Sequence, residues 1–516
     1  MANTSRFDTA PNSGAGLASL PAINSGNGVR QFLIVCFLVL AIIPVYFSLG
    51  GVRLSPYRVM LLIAFVPLII AWLSGMAGRI RAADLCLLAF CFWSVIATFA
   101  NHGSGPSEFA INFFIESFGA YMLGRVLVRS LDDFIVFAKC LFWILILFIP
   151  FGWAEGVTRE SVYISVFSPF GTPIAPAGVD IRWGLNRAQV AFEHPILYGM
   201  FCASAFSILY HMPRADRASI SGLRRAWASI VATFFSLSSG ALSPVGVQVM
   251  LIMFNGIFRN VVKRWKNAAI VAAIGYVALD LASNRTPFEV IASSLAFSGS
   301  TYYWRVLIFE FGIQNVWADP LFGSGLWDWA RPAWMHTATV DNFWLVIAMR
   351  YGVPGFLLFA AFYVLTCWGL IRAKLPIKIL SDQRYGAIFT LGAMALGIST
   401  VWLWNSVYVY FLFLIGTFSW IAEEGEKPQP EGIGGEASQN GEVEDVQTSR
   451  WTRQRRAQPD KGKNGVSPAA NPARSAPAYA RAKPSSSTGK EQLRYRRVEP
   501  RGPKDRRDKN AAHERH

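Results

Sequence analysis

Ionisable side chains that could act together gather in two stretches of this chain, each lying between strongly apolar segments. Residues 182–195 (RWGLNRAQVAFEHP) contain Arg187, Glu193 and His194. The second stretch, residues 285–350, contains Arg305, Arg331, His336, Asp341, Asn342 and Arg350. A guanidinium group stays protonated and holds phosphate oxygens through paired hydrogen bonds, whereas a carboxylate or a neutral imidazole can accept a proton. The two stretches therefore predict chemistry on an anionic, phosphate-bearing substrate.

The sequence offers no motif for a metal or a nucleotide. Its six Cys lie inside apolar segments, and its His residues lack the spacing of a zinc site. Asp319 and Asp328 are too far apart for a D-x-D motif, and no glycine-rich phosphate loop is present. We therefore predict chemistry without a metal or a cofactor.

The composition indicates that these stretches belong to a membrane protein. Hydrophobic residues make up 53% of the chain and charged residues only 16%, with a mean hydropathy of +0.34. A spanning helix needs about 20 mainly apolar residues, and on that basis we predict an all-α fold with about twelve spans. These are residues 32–49, 57–73, 84–100, 109–124, 134–152, 190–210, 226–239, 244–258, 268–283, 342–370, 385–401 and 407–421.

Lys and Arg in the short connections predict the orientation, because cationic flanks are retained on the cytoplasmic side. If the N-terminus is cytoplasmic, the connections rich in Lys and Arg all lie on the cytoplasmic side. The short connections on the other side then contain only Arg53. Both termini are then cytoplasmic. Two long loops, about 153–189 and 284–341, face the other side and contain most of the candidate residues.

The two ends of the chain have a different composition. Residues 1–29 lack a signal-peptide pattern, and residues 422–516 lack apolar runs, being acidic to residue 449 and basic afterwards. We predict that both are disordered and that residues 30–421 form the membrane domain. The basic tail could suggest nucleic acid. Attraction to the anionic leaflet above it explains the charge more simply, so we expect membrane lipid and no nucleic acid as its partner.

The second stretch resembles the signature loop of the O-antigen polymerase and ligase superfamily. The likeness lies in Arg305 and in three motifs after it, at residues 319–325 (DPLFGSG), 340–345 (VDNFWL) and 351–355 (YGVPG). In the first stretch, an Arg about seven residues before a Pro that begins a span matches the superfamily's other signature. The resemblance covers residues 187–356 and implies a GT-C-like glycosyltransferase of the bacterial inner membrane, with a polyprenyl-diphosphate-linked glycan as donor and acceptor. It also implies metal-independent, inverting transfer, with chain-length co-polymerase or export proteins as partners.

Residue by residue, Arg187 and Arg305 match the superfamily arginines that bind the diphosphate. Asp341 stands where many members have His, so the resemblance implies a carboxylate base, although His336 or Glu193 could take that role. We assign Asp341, Arg305 and Arg187 to catalysis. We assign Glu193, His194, His336, Asn342, Arg350 and Arg331 to substrate binding.

Several simpler interpretations stay open. Asp341 could be only a helix N-cap, the arginines could anchor loops at the headgroup level, and Arg350 could pair with Glu116 inside the bilayer. The whole chain could also be a ligase, a flippase for lipid-linked oligosaccharides or a non-catalytic scaffold. We favour a polymerase because Asp replaces a His that we associate more with ligases.

Overall fold

The computed structural model describes residues 25–49, 52–178, 181–213, 220–282, 299–335, 338–375 and 377–426. The described residues belong to the first of two units, Met1–Pro430. Residues 1–24 and 427–516 lie outside the described residues, so the predictions about both disordered ends stay predictions.

The first unit is mainly helical. Its helices are α1 (Ser25–Ala41), α2 (Pro56–Leu73), α3 (Ala82–His102), α4 (Ser107–Phe114), α5 (Ala120–Leu127), α6 (Leu131–Thr158), α7 (Val162–Phe167), α8 (Pro195–Ser204), α9 (Phe206–His211), α10 (Gly222–Phe234), α11 (Ser239–Ile257), α12 (Arg264–Ala282), α13 (Gly299–Ala318), α14 (Phe343–Arg372), α15 (Lys378–Ile398), α16 (Asn405–Thr417) and α17 (Ser419–Glu424). A π-helical segment, Ile115–Gly119, joins α4 to α5, and a 3-10 turn, Ser168–Phe170, follows α7.

Seven helical stretches of the described chain are long and apolar enough to cross a membrane. They are Pro56–Leu73, Ala82–His102, Leu131–Thr158, Ser239–Ile257, Arg264–Ala282, Phe343–Arg372 and Asn405–Glu424. Gly28–Ala41 and Pro195–His211 are shorter apolar helices. The mainly helical fold is confirmed, and its seven candidate spans agree with a membrane protein, whereas the number of about twelve spans stays a prediction.

A small antiparallel sheet corrects the first predicted span. Helix α1 ends at Ala41, and the next residues form strand β1 (Val45–Leu49), which pairs with β2 (Val52–Leu54) and with β3 (Thr172–Pro173). The predicted helix over residues 32–49 is therefore wrong beyond Ala41. Pro44 disfavours a helical conformation in the residue before it, and the β-branched and aromatic residues that follow favour a strand.

Helix α16 is the centre of the bundle. All its residues from Ser406 to Thr417 are buried, whereas most other candidate spans leave apolar residues exposed on the outside of the bundle. It approaches α5 closely where Gly124 and Gly416 face each other's backbones, since a Cβ at either position would overlap the other helix. Small residues at such crossings are typical of helices packed inside a membrane.

Helix α14 is interrupted at Gly352, whose φ of 71° is outside the helical range. The second long loop contacts this break: the Gly325 N–H donates to the Arg350 carbonyl (3.1 Å), and the Val353 N–H donates to the Pro320 carbonyl (2.8 Å). Gly323 also lies against the break and has a positive φ, so a side chain there would strain the backbone and overlap α14. The DPLFGSG and YGVPG motifs thus form one structural junction.

The acidic start of the predicted tail belongs to the folded unit. Arg129 Nη1 lies 2.7 Å from Glu423 Oε2, and Arg81 Nη2 lies 3.0 Å from Glu426 Oε1. Because α17 continues to Glu424, the described membrane domain extends past the predicted boundary at residue 421.

Candidate functional site

Arg182 and Arg187 are held against the turn that precedes α11. Arg187 Nε donates to the Ser236 carbonyl (3.2 Å), and Arg182 Nη1 donates to the Leu237 carbonyl (2.8 Å). Leu237 has a φ of 46°, so the turn presents its carbonyls from an unusual backbone conformation. Arg187 is buried, with 7% of its surface exposed. The first long loop thus places two guanidinium groups beside one turn.

Glu155, near the end of α6, fixes the conformation of this loop. Its carboxylate is buried and accepts hydrogen bonds from the Val190 N–H (2.9 Å) and from Ser161 Oγ (3.1 Å). The next residue, Gly156, accepts from the Asn186 N–H at 2.9 Å. Sequence reasoning missed Glu155, although an acid soon after a long apolar run was a usable signal.

Arg305 and Asp341 lie close to these arginines. Arg305 Nη2 lies 3.3 Å from the position that a Cβ on Gly240 would occupy, and Thr400 Oγ1 lies beside the same position. Among the described residues, Arg305 Nε is buried without a hydrogen-bond partner. Asp341 is within electrostatic range of both Arg305 and Arg187. Three residues that are far apart in sequence therefore form one group, which we call the charged cluster: Arg187, Arg305 and Asp341.

Burial and charge act in opposite directions on this cluster. Burial raises the pKa of Asp341, and the positive charges of Arg305 and Arg187 only partly offset that effect. Burial lowers the pKa of Arg305, and the Asp341 carboxylate opposes the shift. An arginine remains protonated in proteins, so the cluster combines fixed positive charge with a carboxylate that is more basic than an exposed Asp.

Asn342, rather than Asp341, is the N-cap of α14. Asn342 Oδ1 accepts a hydrogen bond from the Leu345 N–H at 3.1 Å, which satisfies a backbone donor of the first turn. The interpretation of Asp341 as the N-cap is therefore wrong. The contact that the structure shows for Asn342 is therefore a structural one and does not involve the charged cluster.

His194 caps a helix too. Its Nδ1 accepts from the Ile196 N–H (3.1 Å) at the start of α8, so the proton of the neutral ring is on Nε2. Burial lowers its pKa to about 4, and the charges of Arg187 and Arg182 add to that effect. At neutral pH the ring is uncharged, and its basic nitrogen is already occupied by the backbone.

Glu193 contacts the central helix, α16. Its Oε1 accepts from Asn405 Nδ2 (2.9 Å), while its Oε2 is buried with no hydrogen-bond partner in the part of the chain that the structure describes. Burial raises the pKa of this carboxyl group, and the hydrogen bonds that it accepts oppose the rise. Glu193 therefore stays an alternative base.

The remaining predicted residues have other surroundings. Arg331 Nη1 lies 2.6 Å from Asp328 Oδ1, and its Nε donates to the Met335 carbonyl (3.0 Å), so its contacts order its own loop. His336 lies outside the described residues. Arg350 lies over the Trp402 ring, with its guanidinium carbon 4.7 Å from the ring centroid.

The interpretation of Arg350 as the partner of Glu116 is wrong. Glu116 pairs with Arg58 instead, at 2.7 Å between Oε1 and Nε. Arg350, on α14, lines the same cavity as Glu116 and Arg58. Its guanidinium is stabilised there by the negative face of the Trp402 ring. The π-helical segment supplies Glu116 to this space, a frequent use of such bulges.

This space is a cavity of about 800 Å³. Charged and amide side chains from four parts of the fold line it together with aromatic rings. Its lining consists of Arg53, Arg58, Gly105, Pro106, Glu108, Phe109, Asn112, Phe113, Glu116, Phe343, Val346, Ile347, Arg350, Tyr351, Trp402, Leu403, Trp404, Asn405 and Tyr408. The size is within the range of about 300–1,000 Å³ that is typical of small-molecule pockets.

Among the described residues, no three His, Cys, Asp or Glu side chains are grouped so that they could hold a metal ion. The sequence matches no protein-family model, and a search of curated proteins found no match either. The charged cluster, the cavity and the resemblance of the motifs are therefore the features that bear on function.

Proposed function

We propose that this chain is a membrane glycosyltransferase that joins polyprenyl-diphosphate-linked oligosaccharide repeat units into an exopolysaccharide or O-antigen. The observation that carries the proposal is the meeting of Arg187, Arg305 and Asp341 from separate parts of the chain. A diphosphate leaving group needs fixed positive charge, and an attacking sugar hydroxyl needs a base. The cluster contains both.

In the proposed reaction, the oxygen of an acceptor hydroxyl attacks the anomeric carbon of the donor sugar. The bond from that carbon to the diphosphate oxygen breaks, and its electron pair leaves with the diphosphate. The hydroxyl proton moves to the Asp341 carboxylate, and attack opposite the leaving group inverts the anomeric configuration.

Arg187 and Arg305 stabilise the charge that develops on the diphosphate. Because the Arg187 guanidinium is held by the Ser236 carbonyl before the reaction, little reorganisation of this group is needed as charge develops. In this scheme the two arginines supply the positive charge, and the transfer is independent of a metal.

We further propose that the protein spans the bacterial inner membrane with both termini in the cytoplasm and the charged cluster at the periplasmic face. The distribution of Lys and Arg supports this orientation. Donor and acceptor then reach the cluster from the outer leaflet. Chain-length co-polymerase or export proteins are the expected partners, and the basic tail associates with membrane lipid.

The second candidate function is ligation of a finished glycan to a different acceptor, which needs the same base and the same arginines. Asp341 in place of the His that we associate with ligases favours the polymerase. A flippase is less well supported, because charge concentrates in two long loops instead of being spread through the helices.

The test is a null mutant whose lipid-linked glycans are isolated from each face of the inner membrane. For a polymerase, single repeat units accumulate on the periplasmic side, and long chains return when the gene is restored. Long lipid-linked chains that are never transferred would instead show a ligase. Units trapped on the cytoplasmic side would show a flippase, and unchanged glycans would reject all three functions.

A further inference from the structure

We propose that the 800 Å³ cavity binds the acceptor glycan, and that the donor diphosphate binds separately at the charged cluster. This inference rests on the proposed function and divides its two substrates between two neighbouring sites. The acceptor class is a neutral or weakly charged oligosaccharide, recognised through its hydroxyls and its apolar ring faces.

The charges of the two sites differ in the way that this division requires. In the cavity, Glu116 pairs with Arg58 at 2.7 Å, and Glu108 opposes the two remaining arginines of the lining, Arg53 and Arg350. With three arginines and two carboxylates around it, a diphosphate there would meet little net positive charge. At the charged cluster, two arginines face the single carboxylate of Asp341, and Arg182 is held nearby. The polyanion is therefore stabilised better at the cluster.

The cavity lining fits a sugar. Trp402, Trp404 and Tyr408 present aromatic rings, on which the C–H faces of a pyranose can pack. Asn112 and Asn405 offer both donors and acceptors, which suits hydroxyl groups that need both. Arg350, placed over the Trp402 ring, also lines the cavity and adds a group with several hydrogen-bond donors.

The connection between α15 and α16 joins the two sites. Thr400, in this connection, lies beside the Arg305 guanidinium at Gly240, whereas Trp402 and Trp404 line the cavity. Asn405 lines the cavity and also donates to Glu193 at 2.9 Å. On the other side, Phe343 lines the cavity only two residues after Asp341. An acceptor bound in the cavity can therefore extend a hydroxyl to the base.

The experiment uses the full chain in lipid nanodiscs with a lipid-linked repeat unit as donor. The acceptor probe is a lipid-free oligosaccharide released by mild acid from the polysaccharide of the producing cell. Asn112→Ala and Trp404→Ala alter the cavity. Trp143→Ala is the matched control, because Trp143 is on α6 with 66% of its surface exposed and is not part of the lining.

We expect each cavity variant to raise the KM for the oligosaccharide about tenfold, as the loss of one or two contacts implies. The KM for the donor and the slow breakdown of donor without acceptor should stay within about twofold of the native values. The Trp143→Ala control should match the native protein in the KM for the oligosaccharide, the KM for the donor and the rate of donor breakdown. A raised donor KM with an unchanged acceptor KM would show that the cavity holds the donor, and unchanged values for both would show that it holds neither.

Direct binding separates this inference from the proposed function. Quenching of tryptophan fluorescence by the oligosaccharide should occur in the native protein and weaken about tenfold in Asn112→Ala, which removes no tryptophan. Such binding without any transfer would reject the glycosyltransferase and keep the glycan site. Transfer with equal quenching in both proteins would keep the enzyme and overturn the site.

Discussion

Asp341 and Asn342 are adjacent in the chain but face different surroundings. Asn342 Oδ1 accepts from the Leu345 N–H at 3.1 Å and closes the first turn of α14, whereas Asp341 lies in the field of Arg305 and Arg187. The cap and the proposed base are thus separate residues. A substitution at either position consequently tests one role without removing the other.

Asp341→Asn should abolish glycan transfer while leaving the fold intact, because the amide is nearly the same size but cannot take a proton. Asn342→Ala should cost about 1 kcal/mol of stability through loss of the cap and should retain most activity. Thermal unfolding and transfer rates of the two purified variants check this. An active Asp341→Asn with an inactive Glu193→Gln would move the base to Glu193.

Arg187→Ala and Arg305→Ala should each lower the transfer rate about a hundredfold or more, since each removes a fixed charge from the leaving diphosphate. Lys replacements should restore only part of the rate, because an ammonium group lacks the planar fork. Arg224→Ala, at an exposed position of α10, is the matched control and should behave as the native protein. A native rate in either Ala variant would remove that arginine from the mechanism.

Glu155→Ala should lower activity through the first long loop, although Glu155 itself reaches no substrate in the proposed reaction. The variant leaves the Val190 N–H without its buried acceptor, at a cost of about 1–3 kcal/mol. Glu155→Gln keeps an acceptor oxygen and should recover most of the rate, which a requirement for negative charge would not allow. The measurement is the ratio of the transfer rates of Glu155→Ala and Glu155→Gln, taken at a temperature where thermal unfolding shows both variants to be folded.

The helical membrane fold was predictable because hydrophobic segment length and composition are read directly from the sequence. Asp341, Arg305 and Arg187 were predictable as candidates because their residue types suit phosphate and proton chemistry. The cavity was not, since Arg58, Glu116 and Trp402 come together only through tertiary packing. The same holds for the choice between Asp341 and Asn342 as cap, because both residue types cap helices equally well.

The pH dependence should identify the base. Burial raises the pKa of Asp341, so the carboxylate becomes protonated, and transfer slows, at a higher pH than for an exposed Asp. Arg305 opposes that rise. Arg305→Gln should therefore raise the pKa further and move the acid limb of the rate profile to higher pH, whereas Arg305→Lys should leave it near the native position. A limb that is unmoved by Arg305→Gln would show that Asp341 is not the titrating group.

The C-terminal tail should be dispensable only beyond the folded unit, so deletion of residues 430–516 should leave transfer intact.

Inside the unit, Asp84 is buried and accepts from Tyr121 Oη at 2.7 Å, with Arg125 Nη2 at 3.2 Å. Asp84→Asn should cost about 3–5 kcal/mol, because it leaves a buried guanidinium less compensated.

Glu426→Gln is the matched control for Asp84→Asn. Its ion pair with Arg81 has a carboxylate that is 53% exposed, so its loss should cost under about 1 kcal/mol. Thermal unfolding in nanodiscs measures both variants against the protein that lacks residues 430–516. Equal costs for Asp84→Asn and Glu426→Gln would show that burial does not set the strength of this network. An inactive but stably folded truncation would show that the tail takes part in transfer.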